Sequence, residues 1–497
     1  MNAEAPYILA IDQGTTSTRA ILFDSAARPV ASHAIELRQI YPANGWVEHD
    51  AEEIWQATLS CCRAALKGVP AVDVAAIGIT NQRETTVIWD KSTGLALHNA
   101  IVWQDRRTAD RCRALKSRKW EPKIAAKTGL LLDPYFSATK MEWLLDHIAG
   151  ARKRAAQGEI ALGTIDAWLI YKLTAGKVHA TDVTNASRTM LLDLETLEWD
   201  ADLLNLFDVP VQALPDVRDS SGYFGATEES LLGAAIPILG VAGDQQAAAF
   251  GQACFQPGDV KSTYGTGCFT LVNTGRTVPS SKNRLLATSA FRIGKRSVYA
   301  IEGSIFIAGA VVQWLRDALA MIGSAQEIEA LARTAKEAQG LYFVPAFTGL
   351  GAPYWDPDAR GAILGLTRDM GAAEIARAAL DAVCFQTRDL LDAMAKDLKR
   401  SGLKPPRVMK VDGGMVRNDW FCQRLADLTG LRVDRPQVTE TTALGAAYLA
   451  GMAAGLFEGT KQIAARWALD RRFLPQMNIN ARNKLYDGWK AAVKRVR

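Results

Sequence analysis

Arg83 and Glu84 stand side by side in "IGITNQRETTVIWD", residues 77–90, between apolar runs that would suit the two strands of a hairpin. A guanidinium fork beside a two-oxygen acceptor can hydrogen-bond adjacent hydroxyls. The same pair at an exposed turn is a surface ion pair of little energetic worth. In "IPILGVAGDQQAAAFG" a strand runs to Val241 and a helix is expected from Gln245 or Gln246, with Asp244 at the junction. Aspartate there is a good helix N-cap. It is also where a general base could meet a bound alcohol, with Gln245 and Gln246 offering donors and acceptors to a polyol. Trp103 in "NAIVWQDRR" and Tyr135 in "LDPYFSATK" could add flat apolar walls and one more hydroxyl partner, or be core.

A second group of residues suits phosphate. In "DQGTTST" Gly14 permits close backbone approach, and Thr15, Thr16, Ser17 and Thr18 carry hydroxyls ahead of Arg19. Backbone N–H groups, hydroxyls and an arginine together fit phosphate oxygens. Asp12, at the end of the preceding strand, could hold a hydrated Mg²⁺. A threonine-rich hairpin turn reads equally well from this segment alone. Two further turns repeat the logic. "YGTGCF" places Gly265, Thr266 and Gly267 after a strand, and "VMKVDGGMVRND" ends a strand in Asp412-Gly413-Gly414 before a helix near Asn418 or Asp419. A helix N-terminus favours an anion. Neither a Walker A sequence nor the GxGxxG fingerprint occurs, so phosphate chemistry here belongs to another fold. The five histidines show no metal spacing, and no local Ser, Cys and His nucleophile signature is present.

These residues need elements to hold them. Strand-like runs such as "PYILAID", "TRAILFD", "AAIGIT" and "TTVIWD" alternate with amphipathic stretches such as "DAEEIWQATLSCCRAAL". Asp50, with Glu53 three residues on, marks a helix start as a capping-box variant. Interleaved strands and helices predict an α/β fold. "LAIDQGTTSTRAILFD" is echoed by "DVKSTYGTGCFTLVNTG", each reading strand, Gly-Thr turn, strand, so two related halves meeting near residue 250 are expected. The 497-residue length itself exceeds one core. A composition 48% hydrophobic and 22% charged is that of a globular chain, and a net charge of +5 without a basic stripe gives no case for nucleic acid. Seven cysteines, Cys61 and Cys62 adjacent and the rest scattered, fit buried thiols in a reduced compartment. The start lacks the pattern of a signal peptide, and no apolar run approaches ~18 residues, so stable membrane insertion is not expected and a cytoplasmic location is.

Taken together, "DQGTTSTRA", "IYPANGWVEHD", "GITNQRETT", "AIVWQDRRT", "TDVTNASRTML", "GDQQAAAFGQ", "YGTGCF", "FVPAFTGLGAPYWDP", "DGGMVRND" and "TALGAAYLAG" resemble the FGGY carbohydrate kinases. The resemblance runs in order over nearly the whole chain. It implies two ribonuclease-H-like domains of the actin/Hsp70/hexokinase superfamily, spanning 1–250 and 251–497, with ATP and a polyol in the cleft between them. The expected reaction is phosphoryl transfer from ATP to a terminal hydroxyl of glycerol, with Mg²⁺; another polyol or a ketopentose is the alternative. Carried over by position, Arg83, Glu84, Tyr135, Asp244 and Gln245 would bind the polyol between Trp103 and Phe269, with Asp244 as base. Thr15, Thr16, Ser17 and Arg19 would face the phosphates, Asp12 and Asp244 would lie near Mg²⁺, and Thr266, Gly309, Gln313, Gly414 and Asn418 would hold the nucleotide. A homo-oligomer of two or four copies is expected. Members inhibited by fructose 1,6-bisphosphate carry a Gly-rich, arginine-containing loop. "EESLLGAAIPI", residues 228–238, has no arginine and one glycine, so that control is not expected. An actin- or Hsp70-like ATPase would use the same phosphate turns but would not need Arg83, Glu84, Asp244 and Gln245 to converge.

Overall fold

The computed structural model describes residues 6–294, 296–336 and 340–497. Its first large sheet runs, edge to edge, Ile238–Gly243, Val74–Asn81, Tyr7–Gln13, Ser17–Phe23 and Pro29–Glu36. The first three strands are parallel and the last three form an antiparallel meander. Ile8, Leu9, Ala10 and Ile11 are all fully buried, as a strand covered on both faces requires. Alternation sends Leu9 and Ile11 against Ile54 and Trp55 of the Ala51–Ala65 helix. Ile8 and Ala10 pack the other way, with Phe250, Ala443 and Ala447.

The second large sheet has seven strands, in the order Leu286–Ile293, Arg296–Ile305, Cys268–Gly275, Val260–Tyr264, Val408–Asp412, Arg432–Pro436 and Leu469–Phe473. Without its two edge strands it repeats the first sheet, with a meander of three and two more strands parallel to its first. The sequence echo is therefore a repeat of topology. The chain is a two-domain α/β protein.

Between the sheets lie two helices, Asp244–Gly251 and Thr441–Ala453. They touch backbone to backbone: a Cβ added at Gly445 would sit 1.8 Å from the Ala247 carbonyl oxygen, and one at Gly251 2.1 Å from that of Thr441. The second helix lies equally close on the first sheet, where a Cβ at Gly78 would meet the Ala446 carbonyl oxygen at 2.3 Å.

A four-stranded sheet of Glu48–His49, Ala100–Ile101, Thr86–Asp90 and Ile160–Thr164 flanks the first. This corrects the hairpin reading of residues 77–90. Val74–Asn81 and Thr86–Asp90 belong to different sheets, and residues 82–85 cross between them. The crossing is tight enough to hold Glu84 at φ 62°, a left-handed conformation that non-glycine residues seldom adopt. At Asp50 the cap forms, its Oδ1 accepting from the N–H groups of Glu52 and Glu53, but Glu53 turns away to accept from Arg38 N. All seven cysteines are buried and unpaired. No helix among the described residues is long and apolar enough to cross a membrane.

Candidate active site

The strand ends of the two sheets face each other across a cavity of about 390 Å³. Thr15, Thr16, Arg83, Glu84, Trp103, Tyr135, Asp244, Gln245, Thr266, Phe269 and Gln313 line it, drawn from both halves of the chain. It adjoins a larger cavity of about 810 Å³, with which it shares Tyr41, Trp103, Gln104, Tyr135 and Thr266. Trp103 stands edge-on to Tyr135 and to Phe269, at 5.6 and 6.1 Å between ring centroids, so three aromatic rings wall one side. The indole N–H is satisfied by Thr15 Oγ1 at 2.9 Å, which ties this wall to the phosphate-type turn.

Arg83 and Glu84 are buried, at 2% and 1% exposure, so the surface-pair reading fails. Arg83 Nε lies 3.1 Å from Asp244 Oδ1, and its Nη1 donates to Gln246 Oε1 at 3.2 Å. Both terminal nitrogens also grip Glu302, with Nη2 to Oε1 at 3.1 Å. Glu84 accepts from Arg188 Nε at 2.7 Å. Tyr135 keeps its phenolic proton: burial, then the Glu84 carboxylate, push its pKa well above the ordinary tyrosine value. Asp244 is the first residue of its helix, with Gly243 at the cap position, one residue earlier than the sequence pattern places the start. Its contacts with Gln245 N, at 2.7 Å, and with Arg83 both fall on Oδ1. Its side chain is 32% exposed.

The phosphate-type turns are built from short backbone hydrogen bonds. Gly14 N donates to Ser17 O at 2.9 Å, and Gly14 O accepts from the side-chain amides of Gln13 and Gln82. Gly265 N donates to Gly267 O, and Gly309 N to Gly265 O, both at 2.9 Å. The Gly309–Asp317 helix thus starts on the Gly265–Gly267 turn, and a Cβ at Gly309 would be 2.6 Å from Gly265 O. Gly413, at φ 92°, brings the Gly414 turn to within the same reach of Tyr264. Gly414 is exposed with open space beside it. Asn418 caps the Asp419–Thr429 helix through Oδ1, and its buried Nδ2 has no partner among the described residues. Gly309, Gly414 and Asn418 therefore sit around this turn, outside the lining of the smaller cavity. Ser17 and Arg19 line a separate groove with Thr16, Glu36 and Gln39, and Arg19 is ion-paired to Glu440 from the other half.

Burial pushes the Asp12 carboxyl up to about 7; Arg19 opposes this, while Asp244 and Glu440 add to it. Asp12 and Asp244 stand on either side of the Val74–Asn81 strand, and two carboxylates that feel each other's charge form an oxygen donor set suited to a hard cation that keeps its waters. Among the described residues no group of three or more His, Cys, Asp and Glu is placed to hold a metal.

Several site residues escape sequence reasoning. Arg188 and Glu302 are completely buried against the Arg83–Glu84 pair yet lie 104 and 219 residues away from their partners. Lys261, also buried, donates to Gln245 Oε1 and to Thr263 Oγ1. Burial lowers its pKa from the ordinary lysine value, against the pull of Asp412, Asp244 and Glu302. His49 joins Gln39 and Gln82, and Gln82 in turn holds the Gly14 turn. For Lys261 and Glu302 the available signal was a charged residue inside an apolar strand, in "DVKSTYG" and "YAIEGSI"; Arg188, in a turn, and His49, in a two-residue strand, gave none.

Two lobes of repeated topology, phosphate-type turns from each and a polar cavity with aromatic walls between them define a phosphotransferase of the sugar-kinase type. Residues 7–251 and 260–454 match the models of the N-terminal and C-terminal domains of the FGGY family of carbohydrate kinases. The chain belongs to that family. It is 58% identical to the glycerol kinase of Ectopseudomonas mendocina, over 99% of each chain. To the glycerol kinase of Alcanivorax borkumensis it is 59% identical, over 99% of this chain and 98% of that one. Among solved structures, Plasmodium falciparum glycerol kinase with ADP superposes with a TM-score of 0.91 at 35% identity, covering 99% and 98% of the two chains.

Proposed function

We propose that this chain transfers the terminal phosphoryl group of ATP to glycerol, giving sn-glycerol 3-phosphate and ADP. The observation that carries the substrate is one cavity onto which Arg83, Glu84, Tyr135, Asp244 and Gln245 converge between the rings of Trp103 and Phe269. An alcohol this small offers little apolar surface, so selectivity depends on giving each hydroxyl a partner. Five polar side chains do that. The family, and relatives named glycerol kinase at 57–59% identity, support the same reading.

In the mechanism that follows, Arg83, Glu84, Tyr135 and Gln245 fix the hydroxyls while the rings of Trp103 and Phe269 cover the carbon chain. Asp244 Oδ1 is held by Arg83 and Gln245 N, which leaves Oδ2 to take the proton of the attacking hydroxyl. Phosphoryl transfer needs chiefly alignment and neutralised charge. The N–H groups and hydroxyls of Thr15 and Thr16, with Ser17 and Arg19 behind them, would face the phosphates. Thr266, Gly309, Gln313, Gly414 and Asn418 would hold the nucleotide, the unpartnered Nδ2 of Asn418 being a donor free for it. Asp12 and Asp244 would hold Mg²⁺, which would supply charge neutralisation at the phosphate oxygens. Approach of the lobes would exclude water as a competing acceptor. We assign the polyol side to residues 1–250 and the nucleotide side to 251–497, and place the enzyme in the cytoplasm as a dimer or tetramer.

ADP release measured over glycerol, longer polyols and ketopentoses tests this. Preferential turnover of glycerol is expected. The adjoining cavity of about 810 Å³ leaves room for a longer substrate, and a clear preference for a ketopentose would replace glycerol with that alternative.

A further inference from the structure

Four charged side chains form a closed ring beneath the proposed polyol pocket. Arg83 donates twice to Glu302, Glu302 accepts a third bond from Arg188 Nη2 at 3.0 Å, and Arg188 Nε returns to Glu84 at 2.7 Å. The ring closes loosely, with Arg83 Nε 4.0 Å from Glu84 Oε1. None of the four side chains is more than 2% exposed. Glu302 stands on the Arg296–Ile305 strand of the second lobe, whereas Arg83, Glu84 and Arg188 belong to the first, so the ring also spans the lobes. Arg188 lies over the rings of Tyr135 and Phe136, at 5.7 and 5.3 Å from their centroids, and so backs the third member of the clamp as well.

Stability alone is a poor reason for such a ring. Desolvating charges costs several kcal/mol per ion, and replacing a buried ion network with apolar groups is often neutral or stabilising. This one leaves Arg188 Nη1 buried with no partner among the described residues, a further cost. What the ring does determine is direction. Arg83 with both terminal nitrogens on Glu302 has Nε left to reach Asp244 Oδ1. Glu84, at φ 62° and held through Oε1 by Arg188, keeps its other oxygen for a ligand.

We propose that Arg188 and Glu302 are positioning residues for polyol phosphorylation. They orient the Arg83–Glu84 clamp and, through Arg83, the base Asp244, and they do so only when the two lobes are together. The inference rests on the polyol reading above.

Glu302→Gln keeps the shape and removes the charge that Arg83 and Arg188 share; Arg188→Lys keeps the charge and removes the two-way fork. For the full-length enzyme with glycerol, kcat/KM is expected to fall about 10- to 100-fold in Glu302→Gln, the range for losing one or two charged hydrogen bonds. Arg188→Lys is expected to fall less. KM for ATP stays within about twofold in both, because the nucleotide turns do not touch the ring. That split distinguishes positioning from general loosening, which would move both substrates together. Unchanged glycerol kinetics in both variants overturns the inference. Equal losses for glycerol and ATP, or loss of folded protein in both variants, assigns the ring to fold stability and overturns it as well. A wild type inactive on glycerol overturns the substrate reading itself, and this inference with it.

Discussion

Asp244 has a structural use at one carboxylate oxygen and a proposed chemical use at the other. Through Oδ1 it takes the N–H of Gln245 at the start of its helix and the Nε of Arg83; through Oδ2 it is available to a substrate. The structural use is replaceable, since Gly243 occupies the cap position and losing a cap costs typically ~1 kcal/mol. The proposed chemical use would not be, since a positioned base contributes roughly 10²- to 10⁴-fold. Asp244→Ala is therefore expected to lose kcat in that range while its midpoint of thermal unfolding moves by only a few degrees. Steady-state kinetics and calorimetry on one preparation check both numbers, and near-normal kcat would remove Asp244 from the chemistry. At this scale the sequence is informative about type and poor about company. Arg83, Glu84 and Asp244 can be picked out from a stretch of text because guanidinium, carboxylate and strand-end position are local properties. Glu302 and Arg188 are as close to Arg83 and Glu84 as any ligand would be, yet nothing in "SRTML" or "YAIEGSI" says where their side chains end.

The element that holds the phosphate-type turn depends on a histidine that shows no motif. His49 is buried and uncharged, with burial lowering its pKa to about 4. Its Nε2–H donates to Gln39 Oε1 at 3.0 Å and its Nδ1 accepts from Gln82 Nε2 at 3.3 Å, while Gln82 also binds Gly14 O. A second ring proton would face the Gln82 amide, donor against donor. The folded pKa lies below the unfolded value of about 6.5, so the neutral ring's contribution is complete above that value and is lost as pH falls towards 4. Relative to His49→Gln, the wild type is expected to lose on the order of 3 kcal/mol between pH 6.5 and pH 4. Urea unfolding of both proteins across that window measures it; parallel curves would contradict the assigned tautomer. The opposite turn is governed by contact between backbones. Gly309→Ala would place its methyl 2.6 Å from Gly265 O and lift the helix from the turn. KM for ATP is expected to rise about tenfold, a typical overpacking cost, with KM for glycerol little changed. Equal movement of both constants would show that the turn serves the polyol too.

At the scale of the molecule, the repeat of strand, Gly-Thr turn and strand was legible because hairpin turns are local, and it correctly announced two lobes of one topology. The fate of residues 82–85 was not legible. Apolar alternation on both sides suits a hairpin, and only the flanking four-stranded sheet decides that Thr86–Asp90 leaves. Nor could spacing reveal that "TALGAAYLAG" lies between the lobes against "GDQQAAAFG", because small residues mark close packing without naming the partner. That contact sets how the lobes face each other, and it makes a last prediction. At Gly445 an added methyl would fall 1.8 Å from the Ala247 carbonyl oxygen, a backbone atom that cannot rotate aside. The two helices must separate. Overpacking of this kind costs ~1–3 kcal/mol. The helix displaced begins at Asp244, three residues before Ala247, so the proposed base moves relative to the Thr266 turn on the far lobe. Gly445→Ala is thus expected to lower both stability and kcat. Gly222→Ala, whose methyl would make an ordinary contact at 3.9 Å with Asp219 Cβ, should change neither. Thermal unfolding and kcat for the pair measure the effect, and a Gly445→Ala enzyme with normal kcat would mean that the orientation of the lobes is set elsewhere than along these two helices.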